Sequence, residues 1–140
     1  MNAKVRVVLD TNVIISGVLT THGVCGQILD LMIEGLFEIC LDDRILDEYN
    51  TVLLREEFKL DSDDVEELIG FIRSSALPVT AVPRIRELPD PDDLPFLEIA
   101  EAAGAILVTG NIRHYPSDSC DSIKVLTPRE FLSLIRASPS

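Results

Sequence analysis

Four short stretches place acids or amides where apolar sequence is interrupted. In "VRVVLDTNVIISG", Asp10 ends a β-branched run, and Val13-Ile14-Ile15 resumes after only Thr11 and Asn12. Glu48 lies in "DDRILDEYNTVL", bordering an apolar helical stripe of Ile45, Tyr49 and Val52. "LPDPDDLPFLEIA" brings Asp90, Asp92 and Asp93 to one helix start, and "ILVTGNIRHYP" stops an aliphatic run at Thr109, Gly110 and Asn111. A buried, unpaired carboxylate costs several kcal/mol, which makes an acid embedded in such sequence a candidate for chemistry. A group of carboxylates filled by divalent cations would present a positive face to a phosphodiester chain.

Each stretch also has a plain structural reading. Asp10, Thr11 or Asn12 would serve as a helix N-cap. Glu48 would be a flank charge paired with Arg44 at i−4. A helix N-terminus welcomes one or two of the three aspartates, although three exceed what capping requires. Asp93 shares a helical face with Phe96, Leu97 and Ala100, Asp92 neighbours Phe96 and Ile99, and helix geometry alone does not choose between them. Asn111, following glycine, suits a turn.

The elements that would position these residues alternate along the chain. Val5 to Leu9 reads as a buried parallel strand, with a helix following from about Asn12. A second helix from Gly23 carries Ile28, Leu31, Met32 and Leu36 at helical spacing, and "LFEICL" is a second strand. Asp42 or Asp43 caps a third helix through about Phe58, and "DSDD" at 61 to 64 caps a fourth. "LPVTAV", bounded by Pro78 and Pro83, is a weaker strand. Residues 83 to 95 are an ordered connection with Pro95 in a first helical turn, and "FLEIAEAAG" is a helix stopped by Gly104. "AILVTG" is a strand, "NIRHYPSDSCDS" a loop, "IKVLT" a last strand and "TPREFLSLIRAS" a closing helix capped by Thr127. These units predict an α/β fold with a central, mainly parallel sheet flanked by helices on both sides. In such sheets, sites lie outside the carboxyl ends of the strands, where Asp10 falls.

The totals bound the class. A chain of 140 residues, 46% hydrophobic, can bury a core, and no linker or repeat divides it, so residues 1–140 are expected to form a single domain. No apolar run reaches the ~18 residues of a membrane span, and the start shows no signal-peptide pattern, which points to the cytoplasm. Cys25, Cys40 and Cys120 lack CxxC spacing and read as reduced thiols. A net charge of −12 disfavours passive nucleic-acid binding, which relies on Lys and Arg neutralising phosphates. Neither GxGxxG nor GxxxxGK[ST] occurs.

Taken in order, "LDTNVIISG", "ILDEY", "DPDDLPFLEIA" and "ILVTGNIRHYP" resemble the PIN-domain family, particularly its bacterial and archaeal toxin-like branch, over Val5 to about Ile135. The resemblance implies a Mg²⁺- or Mn²⁺-dependent ribonuclease, often the toxin of a toxin–antitoxin pair, with an acidic pocket at the strand ends. It makes Asp10, Glu48 and Asp93 the catalytic metal ligands and places Asn111 where many members carry a fourth carboxylate. Asn12 and Thr109 match small polar residues that line the pocket, with Ser16 a weaker match. Single-stranded RNA is the implied substrate, a homodimer the implied assembly, and a neighbouring antitoxin the implied partner. Of Arg6, Arg44, Arg55, Arg84, Arg86, Arg113 and His114, only Arg44, Arg113 and His114 lie near a motif where they could meet RNA; His114 reads foremost as packing with Tyr115, with metal ligand or general acid as the lesser alternative.

Two phosphoryl-transfer folds fit less well. A haloacid-dehalogenase-type phosphatase wants a second Asp where Asn12 stands, and a receiver domain wants a lysine at the end of a later strand, whereas Lys124 stands at the start of a predicted strand. The competing reading is a PIN-like module without catalysis that binds RNA or protein, favoured by Asn111 and the acidic total.

Overall fold

The computed structural model describes residues 4–81, 86–120 and 122–137. Five strands form one parallel sheet: β1 (Arg6–Leu9), β2 (Glu38–Leu41), β3 (Leu77–Pro78), β4 (Ile106–Val108) and β5 (Val125–Leu126), in the order β3-β2-β1-β4-β5. Val7, Val8 and Leu9 are all 0% exposed. Successive strand side chains point to opposite faces, so full burial of all three requires cover on both. That cover comes from α1 (Thr11–Leu19), α2 (Val24–Ile33), α3 (Asp43–Leu53), α4 (Ser62–Ser75), α5 (Leu94–Ala103), the short α6 (Ser117–Cys120) and α7 (Pro128–Ala137).

The helix boundaries have local causes. Asp42 caps α3 by accepting from the Ile45 N–H, and Asp61 caps α4 by accepting from Asp63 and Asp64. Thr127 and Glu130 form a reciprocal capping box at α7. Gly104 ends α5 with φ +62, a left-handed conformation that glycine adopts without a Cβ penalty.

Some sequence expectations change. The third helix stops at Leu53, and Glu56–Phe58 is a separate 3-10 turn followed by Lys59 at φ +52. Leu36 leaves the predicted apolar face, being 51% exposed beyond the end of α2. The weak third strand is two residues long at the sheet edge, and Pro83, its predicted boundary, lies outside the described residues. The loop after Asn111 contains a 3-10 turn, Ile112–His114, and α6.

The topology selects a location. From β1 the chain winds outward through β2 and β3, whereas β4 and β5 lie on the other side of β1. The carboxyl ends of β1 and β4 therefore flank the switch point where open α/β sheets form their crevices. Leu9 pairs with Val108, which sets Asp10 beside Thr109.

Candidate functional site

Asp10 occupies the N-cap position of α1 but makes no side-chain cap hydrogen bond. Its backbone N–H donates to the Val108 carbonyl, so the chain is stitched to β4 where the strand ends. The carboxylate is 5% exposed, and its Oδ2 accepts from both the Thr109 hydroxyl at 2.9 Å and the Tyr115 hydroxyl at 3.1 Å. Asn12 ties the same two strand ends together. Its Oδ1 accepts from the Gly110 N–H at 2.9 Å, while its amide nitrogen donates to Thr109 Oγ1 at 3.5 Å.

Glu48 approaches from α3. Tyr49, fully buried beside it, donates its hydroxyl to the Leu9 carbonyl and so docks α3 against the end of β1. Glu48 Oε2 accepts a short hydrogen bond from the Thr11 hydroxyl. Arg44, expected as its i−4 partner, instead pairs with Asp42 at 2.8 Å and Glu98 at 2.7 Å. Among the described residues, Glu48 has no ion pair.

The third acid comes from the 3-10 turn Pro91–Asp93. Asp90 caps this turn through the Asp92 N–H, Asp92 is exposed, and Asp93 is buried at 8% exposure. The turn, invisible to a helical-wheel argument, is what separates Asp93 from Asp92. Asp93 Oδ2 lies 2.8 Å from His114 Nδ1. His114 therefore engages an acid, and Tyr115 is buried with its hydroxyl on Asp10.

The electrostatics are those of crowded acids. Burial, reinforced by the charges of Asp10, Asp92 and Asp90, raises the Glu48 carboxyl above its ordinary range, against the pull of the Thr11 hydrogen bond. Burial and the Asp10 charge push Asp93 up to about 6, although its hydrogen bond and charge interaction with His114 favour the ionised form. The Tyr115 phenol is raised by burial and by the charges of Asp10 and Asp93, so it stays protonated and remains a donor to Asp10.

A common pattern emerges at the three acids. One oxygen of each is committed: Asp10 Oδ2 to Thr109 and Tyr115, Glu48 Oε2 to Thr11, Asp93 Oδ2 to His114. Among the described residues, no hydrogen bond reaches the second oxygen of any of them. Among the described residues, no buried side-chain nitrogen or oxygen lacks a partner, so those second oxygens are not sealed away from the cleft. Pinned carboxylates with free, reachable oxygens suit a hard divalent cation, which takes oxygen ligands and offsets their mutual repulsion.

Two other sequence candidates stand apart. Asn111 is exposed; its N–H donates to Thr109 Oγ1, but its side chain makes no hydrogen bond to a described residue. Ser16 is exposed on α1, one turn beyond Asn12, and its side chain makes no hydrogen bond to a described residue. Among the arginines, Arg6 binds the Ala103 carbonyl and Glu38 near the opposite end of β1, and Arg86 pairs with Glu101. Arg84 lies outside the described residues. Arg113 is exposed beside His114 and has no ion pair with a described residue. Thr11 and Asp90 were legible in sequence only as capping candidates, and Tyr115 only as a packing partner of His114.

Comparison with known proteins places this geometry in context. A family model described as PIN domain matches residues 6–113. The uncharacterized protein MJ1680 of Methanocaldococcus jannaschii is 26% identical, the match covering 92% of this chain and 90% of that protein. The fold is similar to a chain in the crystal structure of VapBC2 from Rickettsia felis bound to a DNA fragment from their promoter. That match has a TM-score of 0.57 and 15% identity, covering 87% of this chain and 98% of the other. A domain of a functionally unknown protein from Methanocaldococcus jannaschii matches with a TM-score of 0.52 and 19% identity, covering 88% of this chain and 89% of that one.

Proposed function

The chain belongs to the PIN-domain family, and from that premise we propose that it is a Mg²⁺- or Mn²⁺-dependent endoribonuclease cleaving single-stranded RNA, the toxin of a toxin–antitoxin pair. One observation carries the reading: three acids from separate elements meet at the switch point, each with one oxygen held and one free. Asp10, Glu48 and Asp93 would hold the cation, and their donor set fits it. Asn111 is a further ligand candidate through its carbonyl oxygen. When bound, such an ion polarises a phosphate and lowers the pKa of a water.

The chain's own residues prepare that site. Thr109 and Tyr115 fix the rotamer of Asp10, Thr11 fixes Glu48, and Asn12 locks the ends of β1 and β4 so that the acids keep their spacing. Burial strengthens electrostatic contacts within the cleft. Arg113, exposed at the rim, is available to the RNA backbone. The acidic total has a role here too, since the protein repels nucleic acid except where cations or Arg113 reverse the sign.

In this reading the chain is one domain of residues 1–140 that acts in the cytoplasm as a homodimer, held in check by an antitoxin. Support for the partner is the similarity to a chain of the VapBC2 assembly. No single helix among the described residues is long and apolar enough to cross a membrane.

The test is incubation of purified protein with single-stranded RNA and Mn²⁺, with chelator and Asp10→Asn as controls. Cleavage is expected with Mn²⁺ and lost in both controls. Cleavage surviving in Asp10→Asn overturns the assignment, and a protein that binds neither Mn²⁺ nor Mg²⁺ is the non-catalytic module instead.

A further inference from the structure

In the proposed function His114 only holds one oxygen of Asp93, yet it sits at the mouth of the acidic cleft. Its side chain is 39% exposed, and its Nδ1 lies 2.8 Å from Asp93 Oδ2. Ligand atoms of Asp90, Asp93 and His114 all lie within 4.8 Å of one another. Metal–ligand bonds of about 2.1 Å put neighbouring atoms of a coordination sphere about 3 Å apart and opposite ones about 4.2 Å apart. The three side chains are thus already near the spacing a cation needs. The Asp93 side chain is 12% exposed and has an oxygen that no hydrogen bond from a described residue occupies, while Asp90 spends one oxygen on the Asp92 N–H and has its other without a partner among the described residues.

We infer that Asp90 and His114 join Asp93 as ligands, so that the cation held at this corner of the cleft takes an imidazole nitrogen and Mn²⁺ binds there in preference to Mg²⁺. The cation takes the place of the proton shared by His114 Nδ1 and Asp93 Oδ2, and the proton leaves to solvent. The preference follows from donor chemistry. Mg²⁺ favours oxygen ligands and retained waters, whereas first-row transition ions accept imidazole readily. His114 is placed by the 3-10 turn Ile112–His114, whose N–H at His114 donates to the Asn111 carbonyl. Asn111 thereby shapes this corner through its backbone, whatever its side chain does. The inference rests on the proposed function only in taking Asp93 as a metal ligand.

Mn²⁺ alone is the probe. Pulsed electron paramagnetic resonance of the Mn²⁺-loaded protein is expected to show ¹⁴N coupling, lost in His114→Ala. Calorimetric titration is expected to show Mn²⁺ binding weakened about tenfold or more in His114→Ala with Mg²⁺ affinity changed less than about twofold, and both ions weakened in Asp90→Asn, which removes a carboxylate oxygen ligand. His114→Gln, which can still hydrogen-bond Asp93, is expected to behave like His114→Ala, and circular dichroism checks that each variant folds. Absence of ¹⁴N coupling, equal weakening of Mn²⁺ and Mg²⁺ in His114→Ala, unchanged Mn²⁺ affinity in Asp90→Asn, or full rescue by glutamine overturns the inference. If wild-type protein binds Mn²⁺ in an Asp10-dependent way without nitrogen coupling, only this inference fails. If it binds no divalent ion at all, the nuclease reading fails with it.

Discussion

The start of α4 and the start of α1 use the same residue type in the same position for different ends. Asp61 precedes α4 and turns its carboxylate onto the N–H groups of Asp63 and Asp64. Asp10 precedes α1, adopts similarly extended backbone, and leaves that helix without a side-chain cap. Its carboxylate turns toward Thr109 and Tyr115 instead. Asp93 repeats the departure at α5, where it stands at the N-cap with its side chain on His114. The titration shifts divide along the same line: Thr127 hydrogen bonds lower Glu130 in its capping box, whereas burial raises Glu48 and Asp93. A cap is worth about 1 kcal/mol, and where it is forgone the acid faces other acids across the cleft. Capping acids serve the fold, and the acids of the cleft cost it stability until a cation arrives.

The comparison breaks most visibly at Asp10. Asp10→Asn keeps an acceptor for Thr109 and Tyr115 and removes a charge from the crowded cleft. RNA cleavage is expected to fall about a thousandfold or more, the equivalent of about 4 kcal/mol, while the melting temperature in chelator stays level or rises. Asp61→Ala should do the reverse, sparing cleavage and lowering the melting temperature. If both variants lose stability and activity together, the distinction between the two helix starts is wrong.

Proton linkage provides the next largest effect. Asp93 titrates at about 6 in the fold against 3.8 ordinarily, so the native state holds the extra proton between those values. This group therefore makes the fold less stable as pH rises through that window, by about 2–3 kcal/mol once pH exceeds the native value. In chelator, the stability of Asp93→Asn relative to wild type, from urea midpoints, is expected to increase between about pH 4 and pH 6 and then level off. Saturating Mn²⁺ should reverse the wild-type trend, since ligation favours the native state. A pH-independent difference between the two proteins would contradict the cost assigned to this acid.

Tyr115 offers a finer cut. Tyr115→Phe keeps the buried ring and removes one of the two donors on Asp10 Oδ2, with Thr109 left to hold the rotamer. Loss of a hydrogen bond that orients a ligand typically costs 10–100-fold in metal affinity or activity, and with one donor remaining about tenfold is expected in Mn²⁺ affinity. Unchanged affinity would show that Thr109 alone positions the carboxylate.

Sequence and structure agree best where patterns are periodic. The strand of Val5 to Leu9, the stripe of Ile45 and Tyr49, and the Thr127 cap could be read directly, because apolar spacing and capping chemistry are local properties. Asp10 was legible because apolar sequence on both sides left it no surface. Asp93 against Asp92 was not, since the choice depends on a 3-10 turn rather than on helical spacing. The committed oxygens were illegible for a different reason. Thr109 and Tyr115 reach Asp10 across 99 and 105 residues, and only the sheet order brings them together. Arg44 misled for a related reason: α5 presents Glu98 to it, a partner 54 residues away that displaces the local one.

The smallest expected effects test the capping side alone. Asp61→Ala and Thr127→Ala each remove a side-chain acceptor from a helix start, and each should cost about 1 kcal/mol by urea or thermal unfolding at pH 7. Mn²⁺ affinity and RNA cleavage should stay at wild-type levels in both, because neither residue contacts the cleft acids. Glu130 adds a sign to this pair. Its lowered titration means its stabilisation is present above its ordinary value and is lost as pH falls through the native one, opposite to Asp93. Thr127→Ala should therefore narrow its gap to wild type as the pH drops below about 4.5, whereas Asp93→Asn narrows its own gap only as the native proton on Asp93 returns below about 6. Both gaps close as pH falls, but Thr127→Ala is the less stable member of its pair and Asp93→Asn the more stable member of its own, and that sign identifies which acids the fold depends on and which it holds for a cation.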